Sequence, residues 1–160
     1  MARKTYPALP HAEPTTLILY CGDSRFQEAF ARFPEEELGL RRGEWMVLVP
    51  PGGVASLTEP LAFPKEFKVL KDAVAFYVDH FASIRTIVIV NHEDCRKYAA
   101  MQRIVPLFLG GAHDLLGRQR NDLPKVAQAI LGFLGRPVQV KQYMATFANA
   151  EHTQVVIEAV

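Results

Sequence analysis

The chain has 160 residues, 49% hydrophobic and 22% charged, with ten phenylalanines; this excludes intrinsic disorder and suffices for a buried core without disulfide staples. Eighteen basic against seventeen acidic side chains leave a formal charge of +1, far from the basic excess that neutralises a run of phosphates, so nucleic acid is not an expected partner. No apolar run approaches the ~20 residues of a membrane helix, and an N-terminal stretch holding Pro7, Pro10, His11, Glu13 and Pro14 lacks the apolar segment of a secretory signal, so no membrane partner and a cytoplasmic location are expected.

With no internal repeat, low-complexity tract or Gly/Ser/Pro-rich linker, residues 1–160 read as a single domain. Thr16 to Tyr20 is a buried-strand run, followed by Ser24 and, three residues on, Gln27, a capping-box start for a short helix toward Ala31. Trp45 to Val49 is a second strand, stopped by Pro50-Pro51-Gly52-Gly53, whose prolines lack backbone donors and whose glycines tolerate unusual turns. From Lys65, apolar residues Phe67, Leu70, Val74, Tyr77 or Val78, and Phe81 recur at helical spacing. The β-branched run Thr86 to Val90 suits a strand covered on both faces. A helix capped by Asp94 should then run through Tyr98, Met101 and Ile104 to Pro106. Another is expected to start near Asp122, with Pro124 in its first turn, and to stop at Gly135. Two strands, Val138 to Phe147 and Thr153 to Val160, close the chain around a turn through Asn149 and Glu151. This alternation predicts an α/β fold: a mostly parallel central sheet, helices on both faces, and a C-terminal antiparallel strand.

In such sheets ligands bind beyond the carboxyl ends of the strands, where the strand order reverses, and Cys21 and His92 are expected just beyond two such ends. Cys21, His92 and Cys95 are two soft thiolates and an imidazole, a set suited to zinc with a fourth position left open. Helix starts near both cysteines favour the thiolate. Taken as isolated residues, the three are better read as a pair of buried small hydrophobes and a hydrogen-bonded turn histidine. A thiol redox role is weakly supported, because no Cys-x-x-Cys spacing is present. Ser24 reads as a helix cap, Glu93 as a solvated loop residue, and His11, His80, His113 and His152 as surface or capping histidines. Arg41-Arg42 and Arg118-Gln119-Arg120 read as solvated or interface patches.

Cys21-Gly22-Asp23-Ser24-Arg25 and His92-Glu93-Asp94-Cys95, each after a strand, resemble the β-class carbonic anhydrases, which carry Cys-x-Asp-x-Arg and His-x-x-Cys at these places. The resemblance covers about Thr16 to Tyr98, with a looser match beyond. It implies Zn²⁺ held by Cys21, His92 and Cys95, an Asp23–Arg25 pair beside it, and Asp23 as a candidate fourth ligand. It also implies a homodimer or higher homo-oligomer and a zinc lyase, in which hydroxide formed on zinc hydrates carbon dioxide reversibly to bicarbonate. The pairing makes physical sense, because a carboxylate beside zinc binds it unless an arginine holds it away. The chain departs from the family pattern at Asn91 and Arg96, where glycine is usual, and at Pro50 and Pro51, where arginine and asparagine are typical. These departures leave two alternatives: hydrolysis of a carbon dioxide analogue such as carbonyl sulfide or carbon disulfide, and a non-catalytic zinc protein with Asp23 in the fourth position.

Overall fold

The structure is a computed structural model and describes residues 3–9, 13–105 and 107–160; His11 and Pro106 lie outside them. Strand β1 (Thr16–Leu19) pairs in parallel with β2 (Trp45–Leu48) on one side and β3 (Thr86–His92) on the other. β3 pairs in parallel with β4 (Gln139–Phe147), and β5 (Val155–Ala159) adds antiparallel to β4, giving the order β2-β1-β3-β4-β5. Helices α1 (Gln27–Glu36), α2 (Pro64–His80), α3 (Arg96–Gln102) and α4 (Leu115–Phe133) connect the parallel strands.

Alternation along the strands divides the core in two. Leu17, Leu19, Ile87 and Ile89 face one side and pack against Leu70, Val74 and Val78 of α2 and Leu123, Val126 and Ile130 of α4. Ile18, Tyr20, Val88 and Val90 face the other and meet Phe26, Phe30 and Phe33. Both faces of β1 and β3 are therefore covered, which explains their unbroken apolar character. Each large side chain so buried contributes about 1.5–3 kcal/mol. Arg136 latches the end of α2 to the start of β3 by donating to the carbonyls of Val78 (2.7 Å), Phe81 (3.0 Å) and Ile84 (2.7 Å). The Val78 carbonyl lies in the last turn of α2, where helix carbonyls have no intrahelical partner.

Several expected boundaries move. Asp23, not Ser24, caps the first turn, its carboxylate accepting the Arg25 N–H; Ser24–Phe26 is a 3-10 turn, and α1 runs on through Pro34 to Glu36. The Gln27 side chain donates to the carbonyls of Cys21 and Asp23 instead of closing a capping box. β3 continues through His92, drawn on by pairing with Ala145 of β4, so His92 ends the strand where a loop was expected. α3 starts after Cys95 without a side-chain cap and ends at Gln102, leaving Ile104 exposed beyond it. α4 begins at Leu115, capped by Asp114 through the Gly117 N–H at 2.7 Å, so Pro124 lies inside the helix and Asp122 is a buried interior residue.

Candidate metal centre

Strand order reverses between β1 and β3: the chain leaves β1 toward β2 on one side and returns to β3 on the other. Cys21 follows β1 by two residues, His92 ends β3, and Cys95 precedes α3. The ligand atoms of Cys21, His92 and Cys95 lie within 4.8 Å of one another, and all three residues are buried. The alternation of the strands thus delivers three separate side chains to one point above the sheet.

Several features of the cluster would suit a bound cation. The Nδ1–H of His92 donates to the Glu93 carbonyl at 2.8 Å, and Nε2, on the other side of the ring, is buried and has no hydrogen-bond partner among the described residues. A buried polar atom without a partner is costly unless something absent from the protein satisfies it. Hydrogen bonding from Cys95 pulls the Cys21 thiol down to about 4 against the opposing effect of burial, with the Gly52 N–H helping. The Cys95 thiol is pushed up, first by that shared bond and then by burial. Two thiolates this close repel, so the second proton leaves readily only when a cation takes its place. Two sulfurs and an aromatic nitrogen are the donors that suit zinc.

The Pro50-Pro51-Gly52-Gly53 loop closes over Cys21. The Gly52 N–H donates to Cys21 Sγ at 3.3 Å, a bond that requires the backbone itself to approach the sulfur. Gly53 has φ +58°, and a Cβ there would sit 3.3 Å from Cys21 N and 3.4 Å from Val90 O. Pro50 and Pro51 face away, into an apolar cleft of about 490 Å³ shared with Val49, Val69 and Lys97. None of the three clustered residues lines that cleft.

Asp23 and Arg25 form a two-pronged pair: Nε donates to Oδ1 at 3.0 Å and Nη2 to Oδ2 at 2.8 Å. These side-chain bonds, with the Arg25 N–H, hold the Asp23 carboxyl down at about 2. Arg25 also reaches the loop between His92 and Cys95, where Asp94 accepts from Nη1 at 2.7 Å. Asp94 was expected as a helix cap; it adopts φ +53° and turns its carboxylate to Arg25 instead. Glu93, expected to be solvated, accepts the Phe147 N–H at 2.9 Å and ties the ligand loop to β4.

The layer behind the cluster was not legible as such. The Gln119 side chain donates to the His92 carbonyl at 2.7 Å, and Asn91 donates to the Tyr98 hydroxyl and the Gln119 carbonyl. Arg118 and Gln119, expected on a solvated or interface patch, are buried within the chain; Arg118 bonds Asp122 at 2.7 Å, Glu59 at 2.6 Å and the Phe108 carbonyl. The available signal was helical: Gln119, Leu123, Val126 and Ile130 share one face once α4 is extended back to Leu115. Of the two departures near the cluster, Asn91 is buried and hydrogen-bonded, whereas Arg96 is exposed. Arg41 and Arg42 are surface cations paired with Glu44 and Glu35. His80, His113 and His152 are exposed and stand apart from the cluster.

No family model matches the sequence, and no curated protein matches it. Solved structures do. The carbonic anhydrase of Streptococcus mutans is 17% identical and aligns over 96% of this chain and 87% of that one, with a TM-score of 0.54. The β-carbonic anhydrase isoform I of Trichomonas vaginalis is 16% identical over 96% of this chain and 87% of that one, with a TM-score of 0.52. The Coccomyxa β-carbonic anhydrase, solved in complex with acetazolamide, is 16% identical over 94% of this chain and 75% of that one, with a TM-score of 0.52. This chain has the β-carbonic anhydrase fold. Within it, a buried Cys–His–Cys cluster that could hold a metal sits at the strand-order reversal of the β-carbonic anhydrase-like sheet.

Proposed function

We propose that the chain binds one zinc ion through Cys21, His92 and Cys95 and catalyses the reversible hydration of carbon dioxide to bicarbonate. The observation that carries this reading is the buried Nε2 of His92, without a partner among the described residues, grouped within 4.8 Å of two buried sulfurs. Zinc bound there would supply a Lewis acid that makes water a better nucleophile by lowering its pKa. The protein's own residues supply the remainder. Glu93 O fixes the His92 ring so that Nε2 faces the sulfurs, and Gln119 holds the backbone of His92 from behind. Gly52 N–H stabilises the negative charge on Cys21. Asp23, kept ionised by Arg25, offers a carboxylate that accepts a hydrogen bond from the attacking water and orients it, and Arg25 keeps that carboxylate from becoming a ligand itself. The 160 residues act as one unit in this reading and assemble as a homodimer or higher homo-oligomer, which the native mass in solution tests.

Two measurements on the same preparation test the reading: zinc content, and carbon dioxide hydration by stopped flow. About one zinc per chain and measurable hydration are expected, with both lost in Cys95→Ser. Stoichiometric zinc in Cys95→Ser would overturn the ligand assignment. Zinc without hydration would overturn the reaction while leaving the metal site standing, and would turn attention to carbon dioxide analogues or a structural metal.

A further inference from the structure

We propose that Asp94 is a positioning residue: it pins Arg25 to the loop between His92 and Cys95, and so determines whether the Asp23 carboxylate stays clear of the metal position. The inference rests on the reading that the cluster holds a metal. Arg25 makes four side-chain hydrogen bonds. Nε and Nη2 go to the two oxygens of Asp23, Nη1 goes to Asp94 Oδ2 at 2.7 Å, and Nη2 also reaches the Asp94 carbonyl at 3.1 Å. The Asp23 bonds are local, two residues apart, whereas those to Asp94 span 69 residues and join the loop after β1 to the loop after β3. The guanidinium lies 5.5 Å from the Phe147 ring centroid and 5.9 Å from that of Phe26, so aromatic rings flank it where it is held.

The backbone of Asp94 supports the same conclusion. A φ of +53° is unfavourable for a residue with a Cβ, although Asp and Asn tolerate it better than most. That conformation presents both the carboxylate and the carbonyl of Asp94 to one guanidinium. The side chain of Asp94 is 67% exposed, so the pair adds little to overall stability. Its effect is geometric. With Arg25 pinned, Asp23 can move toward the sulfurs only by abandoning two charge-assisted hydrogen bonds. With Arg25 released, the arginine can travel with it and keep them.

The test uses the full-length chain loaded with cobalt(II), with azide as a probe of the fourth coordination position followed by visible absorption. Asp94→Gly keeps the positive φ and removes the side chain; Asp94→Asn keeps the φ and removes the charge. Asp94→Gly should weaken azide binding by about tenfold, because Asp23 then competes for the position, and Asp94→Asn should weaken it in the same direction. In an Asp23→Asn background the Asp94→Gly change should have no effect on azide. Unchanged azide binding in Asp94→Gly overturns the proposal, and so does a loss that persists in the Asp23→Asn background, since it would then bypass the carboxylate. Failure of the wild-type chain to take up cobalt would sink the metal-site reading itself, and the inference with it.

Discussion

Arg118 and Asp122 show how much a single pair of charges can control in this core. Asp122 is fully buried; its Oδ2 is bonded to Arg118, while its Oδ1 has no hydrogen bond among the described residues and lies 3.7 Å from the exposed Lys125 ammonium, so its charge depends mainly on the buried guanidinium beside it. Arg118→Ala should therefore destabilise the protein by about 3 kcal/mol or more at pH 7, as is usual when one partner of a buried pair is removed. The pH dependence has a definite sign. Burial raises the Asp122 carboxyl above its ordinary value, so the folded chain binds that proton more readily than the unfolded chain does. The stability contributed by the neutral form is complete below the unfolded pKa of about 4 and is lost as the pH rises through the raised folded value. The penalty of Arg118→Ala should accordingly shrink between pH 7 and pH 4. Urea unfolding at the two pH values checks this, and an equal penalty at both would mean that Asp122 is not the group left stranded.

The elements divide sharply by whether local pattern or distant contact fixes them. α2 was legible because Leu70, Val74 and Val78 repeat at helical spacing, and β1 and β3 because a strand covered on both faces needs an unbroken apolar run. The start of α4 was not. Asp122 followed by Pro124 imitates a capped helix start, whereas Asp114 does the capping and a buried charge network carries the helix past the proline. At the site, residue chemistry and strand ends only suggested Cys21, His92 and Cys95, and the resemblance of the two motifs to the β-class carbonic anhydrases joined them as a set; the supports behind them come from α4 and β4, which no local pattern links to the two motifs. The Pro50–Gly53 loop lies between these cases: its prolines and glycines marked a strand stop and an unusual turn, and only the packing of Gly53 against the backbone of Cys21 and Val90 gives the reason. Gly53→Ala should cost about 1–3 kcal/mol, because the positive φ is strained for alanine and the atoms its Cβ would meet are backbone atoms with little room to retreat. Thermal unfolding of that variant against Gly111→Ala checks the packing part of the claim. Gly111 has φ +89° and nothing within 4 Å of an added Cβ, so it carries the backbone strain alone.

For the molecule as a whole, the described helices and strands make one five-stranded sheet layered by helices, and no helix among the described residues is long and apolar enough to cross a membrane. The cluster draws its donors from the ends of β1 and β3, which are adjacent in space and about 70 residues apart in sequence. That separation sets an order of events. Until β1 and β3 have found their register, Cys21 is far from the other two donors, and the unfolded chain offers only the weak local pair His92 and Cys95. On the proposed reading, a metal arriving at this chain would recognise an assembled sheet and lock it, without guiding its assembly. Ligation that follows the rate-limiting step slows escape from the native state and leaves the rate of reaching it unaltered. In denaturant-jump kinetics, zinc should flatten neither limb, should leave refolding of the metal-free chain at its own pace, and should depress the unfolding limb about tenfold or more. Acceleration of refolding by zinc would show instead that the donors meet before the strands do. In the expected case the metal acts as a kinetic lock, and the lifetime of the finished fold, more than its formation, depends on metal supply.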